Sequence, residues 1–220
     1  FAHPSVYHEE SARELAKALR GRRVPLILSP SRTLATPYLW QILGASGRDD
    51  YFSSRYDASA KFSALNFWYT RYQTITDALS VKLAGAGQVA SGPLLLSQQF
   101  YLGGFAFGRG YGAAEISGDN GIAGSLELRF DQKLNYQYWT GYQLYAFTDA
   151  GTAWNDGYRF GDGYALTSAG AGVRFFFGND LRADIGVAVP LSYRSWYNPS
   201  RDPRLLFSLL RRIHPQIRQR

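Results

Sequence analysis

Residues 96–129 read LSQQFYLGGFAFGRGYGAAEISGDNGIAGSLELR, a long loop rich in glycine and aromatic residues that runs directly into an alternating apolar and polar segment. Arg109 is the single charged residue in the glycine-rich part, residues 103–112. A buried, unpaired guanidinium is costly, so we expect Arg109 to reach water or an acidic partner. Loops longer than about 12–15 residues that lack secondary structure are commonly functional. This loop is therefore the first candidate for a functional element.

On both sides of the loop, apolar and polar residues alternate with the two-residue period of a β-strand. The clearest alternating segments are residues 61–72, 79–89, 122–130, 138–149, 166–176 and 181–189. The polar faces of the third and fourth segments carry Ser125, Glu127, Arg129, Gln143, Tyr145, Phe147 and Asp149. The pattern predicts an all-β fold of antiparallel strands of about ten residues.

Alternation alone fits either a soluble β-sandwich or an outer-membrane β-barrel, because both have one apolar and one polar face. The lengths of the links favour the barrel, which has short periplasmic turns and long external loops. Short links at 131–137 and 179–180 alternate with long ones at 45–58, 91–121, 150–163 and 190–203. Side chains nearly fill the lumen of an eight-stranded barrel. The glycine-rich loop would therefore not fit inside a barrel built only from the seven or eight strands visible here.

The composition excludes several other classes of protein. The chain of 220 residues has no cysteine, which removes disulfides and cysteine chemistry, and no run approaches the roughly 20 apolar residues of a membrane-spanning helix. The net charge of +7 arises at the two ends, because basic and acidic residues balance between residues 25 and 200. A nucleic-acid surface would combine basic and aromatic residues on one face. We therefore expect no binding of nucleic acid.

The residues also argue against an enzyme. The only histidines, His3, His8 and His214, lie outside the strand segments, so a Ser-His-Asp site would need a chain end to fold into it. No cluster of His, Asp and Glu has the spacing of metal ligands. The glycines of the loop are not followed by the helix of a phosphate-binding site. We expect no catalysis, no cofactor and no metal ion.

Five stretches of the chain form a specific combination of motifs. They are ILGASGRDDYFSSRYDASAKFSALNFWYTRYQTI at residues 42–75, LLLSQQFYLGG at 94–104, GRGYG at 108–112, SGDNGIAGSLELR at 117–129 and AFTDAGTAW at 146–154. Together they resemble the C-terminal barrel part of the two-partner secretion transporters (TpsB, the haemolysin activation/secretion proteins). The resemblance implies an antiparallel transmembrane β-barrel, of which this chain is the C-terminal half of an expected sixteen strands. It also implies that a plug loop at residues 91–121 folds back into the lumen.

The resemblance implies a function in protein export. The family moves an unfolded exoprotein, a TpsA-like haemolysin or adhesin, across the outer membrane of a Gram-negative bacterium. The expected partners are therefore this exoprotein and outer-membrane lipid. Two alternatives stay open, namely a factor of the same superfamily that assembles barrel proteins and a passive porin-like channel.

The resemblance also implies which residues form the site. The plug-loop motif consists of Gly108, Arg109, Gly110 and Tyr111. The wall partner of Arg109 is Asp149, flanked by Phe147 and Gly151. Glu127 and Arg129 are possible lumen contacts that could compete for the same groups. Lys is no substitute in a bidentate Arg–carboxylate pair, which would hold the loop in one position until substrate shifts it.

The two ends of the chain fall outside this scheme. Residues 38–213 are assigned to the barrel portion, beginning with a possible strand at 38–44, and residues 214–220 to a basic tail. Residues 1–37 are unassigned, with a possible short amphipathic helix at 9–20 and a connector with several Pro and Ser residues at 21–37. Because no signal-peptide pattern opens the chain, we expect either a processed protein or a fragment of a longer one, and we favour the fragment.

Overall fold

The structure of the protein is a computed structural model. It describes residues 27–29, 55, 58, 62–136, 138–156, 164–178, 181–192 and 201–211, and of residues 27–29 only the backbone. The helix predicted at 9–20, the possible strand at 38–44 and the basic tail at 214–220 lie outside the described residues, so they stay predictions.

Within these residues the chain forms ten β-strands and one 3-10 turn at Leu96–Gln98. The strands are β1 (Ile27–Ser29), β2 (Ala64–Thr74), β3 (Leu79–Ala90), β4 (Phe100–Leu102), β5 (Ile116–Gly118), β6 (Asn120–Lys133), β7 (Trp139–Trp154), β8 (Tyr164–Phe177), β9 (Leu181–Pro190) and β10 (Arg204–Arg211). Eight of them form one antiparallel sheet in the order β1-β2-β3-β6-β7-β8-β9-β10, and β4 pairs with β5 separately. The described part of the chain has no helix that is long and apolar enough to cross a membrane. The predicted all-β, antiparallel fold is confirmed.

The two faces of the large sheet are inverted relative to those of a water-soluble protein. On β6, Leu126 and Leu128 are 48% and 47% exposed, whereas Glu127 between them is 2% exposed. The same alternation continues in β7, where Leu144 is exposed and Tyr145 is buried. Charged residues are rarely buried in soluble proteins, whereas a barrel wall has an apolar face toward lipid and a polar face inside. We call the apolar face the outer face and the polar face the inner face. In both strands the residues divide between the two faces as the alternation predicts.

Short and long links alternate along the sheet. The short links are residues 75–78, 134–138 and 178–180, and the long ones are 91–119, 155–163 and 191–203. Because successive strands are antiparallel, the strand ends that the short links join lie at one end of the sheet, and those that the long links join lie at the other. Since β1 and β10 end the strand order, the sheet is not closed within the described residues. The count of sixteen strands remains a prediction.

Strand β7 is longer than its predicted segment, and strand β1 lies where the sequence predicts a connector. The alternating pattern ends at Asp149, but β7 continues to Trp154, which lies opposite Asn120 of β6. Small residues dominate this part of both strands, so no alternation marks it. Ile27–Ser29, inside the predicted connector, pairs with β2 as strand β1, and three residues are too few for a periodic signal.

The long link between β3 and β6 folds onto the inner face. It contains its own hairpin, with Phe100 of β4 opposite Gly118 of β5, and we call residues 100–118 the plug hairpin. Its apolar residues form one buried cluster with four alanines and one leucine of the wall: Leu102, Phe107, Tyr111 and Ile116 with Ala84, Ala86, Ala123, Ala153 and Leu166. Burial of this apolar surface stabilises the hairpin on the wall. The loop is thus an ordered element rather than an irregular glycine-rich segment.

Candidate functional site

Arg109 lies in a tight turn at the tip of the plug hairpin. Gly103 and Gly108 have φ angles of 106° and 80°, a region that glycine adopts readily. The Gly103 amide donates to the Phe107 carbonyl at 3.1 Å, and the Tyr111 amide donates to the Gly108 carbonyl at 2.9 Å. These bonds hold the turn, so that Arg109 is directed at the wall.

The Arg109 guanidinium makes a two-point contact with Asp149 of β7. Nε donates to Oδ2 at 2.9 Å, and Nη2 donates to Oδ1 at 2.8 Å. The backbone amide of Arg109 also donates to Oδ2, at 3.0 Å. Both residues are buried, with Arg109 8% and Asp149 0% exposed. The structure thus brings together the two residues that the family resemblance pairs.

Three further wall groups enclose the guanidinium. Nη1 donates to Oε2 of Glu127 at 2.6 Å, and Nη2 donates to Oγ of Ser125 at 3.0 Å. The centroid of the Phe147 ring lies 3.4 Å from Cζ of Arg109, which is a cation–π contact. Burial alone would lower the pKa of Arg109, but Asp149 and Glu127 raise it above its ordinary value, so the charge is kept. Ser125 is missed as a site residue by the sequence analysis, although alternation places it on the same face as Glu127.

Glu127 is shared by three arginines. Besides its bond from Arg109, Glu127 accepts at Oε1 from Nε of Arg129 and from Nη1 of Arg174, each at 2.7 Å. Of the two possible lumen contacts, Glu127 therefore bonds directly to Arg109, and Arg129 bonds to Glu127. Arg174 of β8 is a site residue that the sequence analysis misses. Its only signal is its place on the polar face of residues 166–176.

The polar network continues across the wall to β9. Arg174 donates from Nε to Oδ2 of Asp184 and from Nη1 to Oε1 of Gln143, each at 2.7 Å. The Tyr145 hydroxyl donates to Oδ1 of Asp184 at 2.6 Å. Three arginines thus face three carboxylates, which limits the cost of burying these charges. Within the described ranges, no three His, Asp or Glu side chains lie close enough together to hold a metal ion.

Arg109 lies against β6 and β7, and Gly110 and Tyr111 lie beside β8 and β9. We call the space on the wall that receives all three residues the tip recess. A Cβ atom on Gly110 would lie 2.8 Å from the backbone nitrogen of Pro190 and 2.8 Å from Cβ of Ser168, so only glycine fits. The Tyr111 hydroxyl donates to the Thr167 carbonyl at 3.0 Å, and the side chain is 1% exposed. All three residues of the tip are therefore enclosed by the wall.

Gly151, predicted beside Asp149, makes room for the plug hairpin. A Cβ atom there would lie 2.9 Å from Cδ1 of Leu102 and 2.9 Å from the Ile122 carbonyl oxygen. Gly151 therefore leaves room for the buried apolar cluster, while Gly108 allows the positive φ angle of the turn at the tip.

Gly110→Ala should push the tip out of its recess, because the atoms that its Cβ would meet include backbone atoms of Pro190 and Val189. Overpacking of this kind costs about 1–3 kcal/mol, and we expect trypsin cleavage after Arg109 to rise at least about fivefold as the opened population grows. Gly112→Ala is the matched control, because its Cβ would meet only the flexible end of Glu115 at 3.0 Å. Equal cleavage of both variants would contradict this account of the recess.

A second buried carboxylate, Asp119, ties together the base of the plug hairpin. Arg55 donates from Nη1 to both carboxylate oxygens, at 2.7 and 2.9 Å. The backbone amides of Leu94, before the hairpin, and Asp156, after β7, donate at 3.0 and 2.8 Å. Asp119 is 0% exposed. The sequence analysis quotes Asp119 only within a motif, and nothing in the sequence pairs it with Arg55, 64 residues away.

Asp119→Asn should destabilise this junction. The variant loses a charged acceptor of several hydrogen bonds, for which we expect a decrease of about 1.5–3 kcal/mol in the free energy of unfolding. Urea unfolding of the protein in lipid vesicles measures this change. Asp77→Asn, in the exposed turn 75–78, is the matched control, and a decrease of the same size there would count against a special role for Asp119.

The contribution of Asp119 should also depend on pH. Burial alone would raise the pKa of Asp119, but the amides of Asp156 and Leu94 and the Arg55 guanidinium outweigh it and lower the pKa. Because the folded-state pKa is the lower one, the stabilisation is complete above the ordinary value of about 3.9 and is lost as the pH falls through the folded value. The difference in unfolding free energy between wild type and Asp119→Asn should therefore shrink below about pH 4. An unchanged difference down to about pH 2 would contradict this linkage.

The part of the chain that carries the site matches the model of a known family. This model, described as haemolysin secretion/activation protein ShlB/FhaC/HecB, matches residues 40–175, which is more than half of the 220 residues. The chain belongs to this family. The match includes Arg109, Glu127, Asp149 and Arg174, and the predicted resemblance to two-partner secretion transporters is confirmed. Members of the ShlB/FhaC/HecB family are outer-membrane transporters of Gram-negative bacteria.

Two solved structures are similar in fold to this ShlB/FhaC/HecB-family chain. CdiB from Escherichia coli is 20% identical with a TM-score of 0.61, over 74% of this chain and 30% of that chain. CdiB from Acinetobacter baumannii is 24% identical with a TM-score of 0.51, over 67% of this chain and 26% of that chain. The chain thus spans less than a third of either CdiB chain, and at these identities the likeness shows the fold. No curated protein matches the chain.

Proposed function

We propose that this chain forms the wall and the plug of a translocator that exports an unfolded exoprotein of the haemolysin or adhesin class across the outer membrane. The observation that carries the proposal is the plug hairpin on the polar inner face, with Arg109 at its tip bonded to Asp149 and Glu127. A passage closed by a polar contact of this kind opens when the tip is displaced, without unfolding of the wall. Family membership supports the same role.

The two faces of the sheet support a place in the outer membrane. Side chains such as Leu128 and Phe207 on the outer face are 47% and 64% exposed, and in this proposal they contact lipid tails. Charged side chains of the inner face such as Arg174, Glu127 and Asp184 are paired with one another, so this face is compatible with a water-filled passage. Lipid and the exoprotein are the proposed partners, and nucleic acid has no part.

The proposed role includes no catalytic step and no cofactor. Movement of the exoprotein would be driven by its folding on the outer side, because folding removes the unfolded form from the transport equilibrium. The wall would then provide the passage for the exoprotein, and the plug would close this passage when no exoprotein is present.

The experiment that tests this function is export of a haemolysin- or adhesin-class exoprotein by cells that lack the gene for this protein. We expect the exoprotein to disappear from the medium, and to return when the gene is restored. Levels of unrelated outer-membrane barrels in the same cells are the control.

Two other outcomes would overturn the proposal. A general loss of outer-membrane barrels would indicate an assembly factor. Unchanged export of every exoprotein, together with a change in permeability to small solutes, would indicate a passive channel.

A further inference from the structure

The tip recess has the features of a binding site for a short peptide. Three consecutive residues of the hairpin enter it, and each meets a different kind of wall group. Arg109 meets the Asp149 carboxylate and the Phe147 ring, Gly110 meets backbone that excludes any side chain, and the Tyr111 hydroxyl meets a backbone carbonyl. The wall thus selects arginine, then glycine, then an aromatic residue with a hydroxyl.

The carboxylates that hold the tip would respond differently to its departure. Glu127 would keep hydrogen bonds from Arg129 and Arg174. The Asp149 carboxylate would lose all three hydrogen bonds that it accepts from the described residues, because each comes from Arg109. A buried carboxylate without a partner is unfavourable, so the vacated recess favours the entry of another guanidinium.

The tip also leaves one group of the recess unsatisfied. Oγ of Ser168 is buried and has no hydrogen-bond partner among the described residues, and its Cβ lies against Gly110. Leaving a buried hydroxyl unpaired is unfavourable. The tip therefore does not satisfy every polar group of the recess, and an occupant with a polar group at this point would gain a hydrogen bond that the tip lacks.

We propose that the tip recess binds a segment of the exported polypeptide in which arginine is followed by glycine and an aromatic residue, and that the plug tip is an internal mimic of this segment. The proposal rests on the proposed function, which supplies an unfolded polypeptide on the inner face. Arrival of such a segment displaces Arg109 from Asp149 and releases the plug. The passage would then open in response to its own cargo.

The test uses a fluorescein-labelled peptide with the sequence of residues 107–112, FGRGYG, and the full chain in lipid nanodiscs. Fluorescence anisotropy should show binding to Arg109→Ala, in which the tip no longer supplies the guanidinium, at least about tenfold tighter than to wild type. Adding Asp149→Asn to Arg109→Ala should weaken binding at least about tenfold, because the bidentate contact is lost. Peptides FGKGYG and FGRAYG should bind at least about tenfold more weakly than FGRGYG, because Lys lacks the planar fork and alanine does not fit the slot.

Equal binding to Arg109→Ala with and without Asp149→Asn would show that the peptide does not use the recess and would overturn the proposal. Equal binding of the lysine and arginine peptides would show that the recess attracts any positive charge. This result would also overturn the proposal.

A measurement on the wild-type protein keeps the proposal falsifiable if the variants fail to fold. Excess FGRGYG should increase the conductance of wild-type protein in planar bilayers, and FGKGYG should not. No increase with either peptide would overturn the inference. If export depends on the gene while these peptide effects are absent, the inference fails and the proposed function stands.

Discussion

Arg109→Ala should open the passage and release the plug hairpin. The substitution removes every side-chain contact of the guanidinium and leaves Asp149 buried without a cation. Removal of one partner from a buried ion pair costs about 3–5 kcal/mol, which is a large fraction of the stability of a typical domain. We expect a higher conductance in planar bilayers, altered export of the exoprotein, and a lower free energy of unfolding.

Two control variants separate this effect from a general loss of charge. Arg109→Lys keeps the charge but cannot bridge both oxygens of Asp149, so it should restore only part of the closure. Arg71→Ala removes an arginine on the outer face of β2, opposite Leu83 and away from the tip, so its conductance should stay at the wild-type value. Wild-type conductance and export in Arg109→Ala, with normal assembly of the protein, would exclude Arg109 as the closing contact.

Exchange of the two charges tests the contact directly. Arg109→Asp and Asp149→Arg should each be strongly destabilising, because each places like charges together in a buried site. The double variant should be less destabilised than the sum of the two, and the difference is the interaction energy of the pair. Strict additivity would show that the two side chains do not act as a pair.

Glu127→Gln should destabilise the wall itself. Three arginines donate to this carboxylate, and the amide would place NH₂ donors against guanidinium donors. Three buried cations would then be left with too little negative charge, so we expect a decrease of about 3–5 kcal/mol in the free energy of unfolding. Urea unfolding in lipid vesicles and the fraction of protein that reaches the folded form measure it.

A second substitution should reveal the cause of this destabilisation. Adding Arg129→Gln to Glu127→Gln removes one of the unbalanced cations, so the double variant should be more stable than the additive expectation. Glu115→Gln, at a carboxylate that accepts from the Gly112 amide within the plug hairpin, is the matched control and should have a small effect. A loss in Glu115→Gln as large as in Glu127→Gln would show that the three arginines are not the reason.

Alternation predicted the faces of the strands well. Leu126, Glu127 and Leu128 lie on the faces that their parity indicates, because a strand turns successive side chains to opposite sides wherever it occurs. The family resemblance pairs Arg109 with Asp149, and the structure places them in contact. Sequence reasoning failed where the signal was absent, as in residues 150–153 of β7, which are small on both faces, and in the three-residue strand β1.

The partners of the buried charges could not be predicted in the same way. Sharing of Glu127 among three arginines depends on register, such as the pairing of Ser125 with Asp149 across β6 and β7. A shift of two residues would keep every side chain on its face and change every partner. Alternation therefore carries no information about which charges meet.

The sequence by itself determined the class of fold, which residues share a strand face, and the family, because the two-residue period and the motifs are properties of contiguous segments. Only the tertiary structure decided that Arg174 completes the site, that Asp119 joins Arg55 to the base of the plug, and that Gly110 fits a slot lined by backbone. These contacts join residues far apart in the chain. They depend on strand register and on the path of the plug hairpin across the wall, which no single segment encodes.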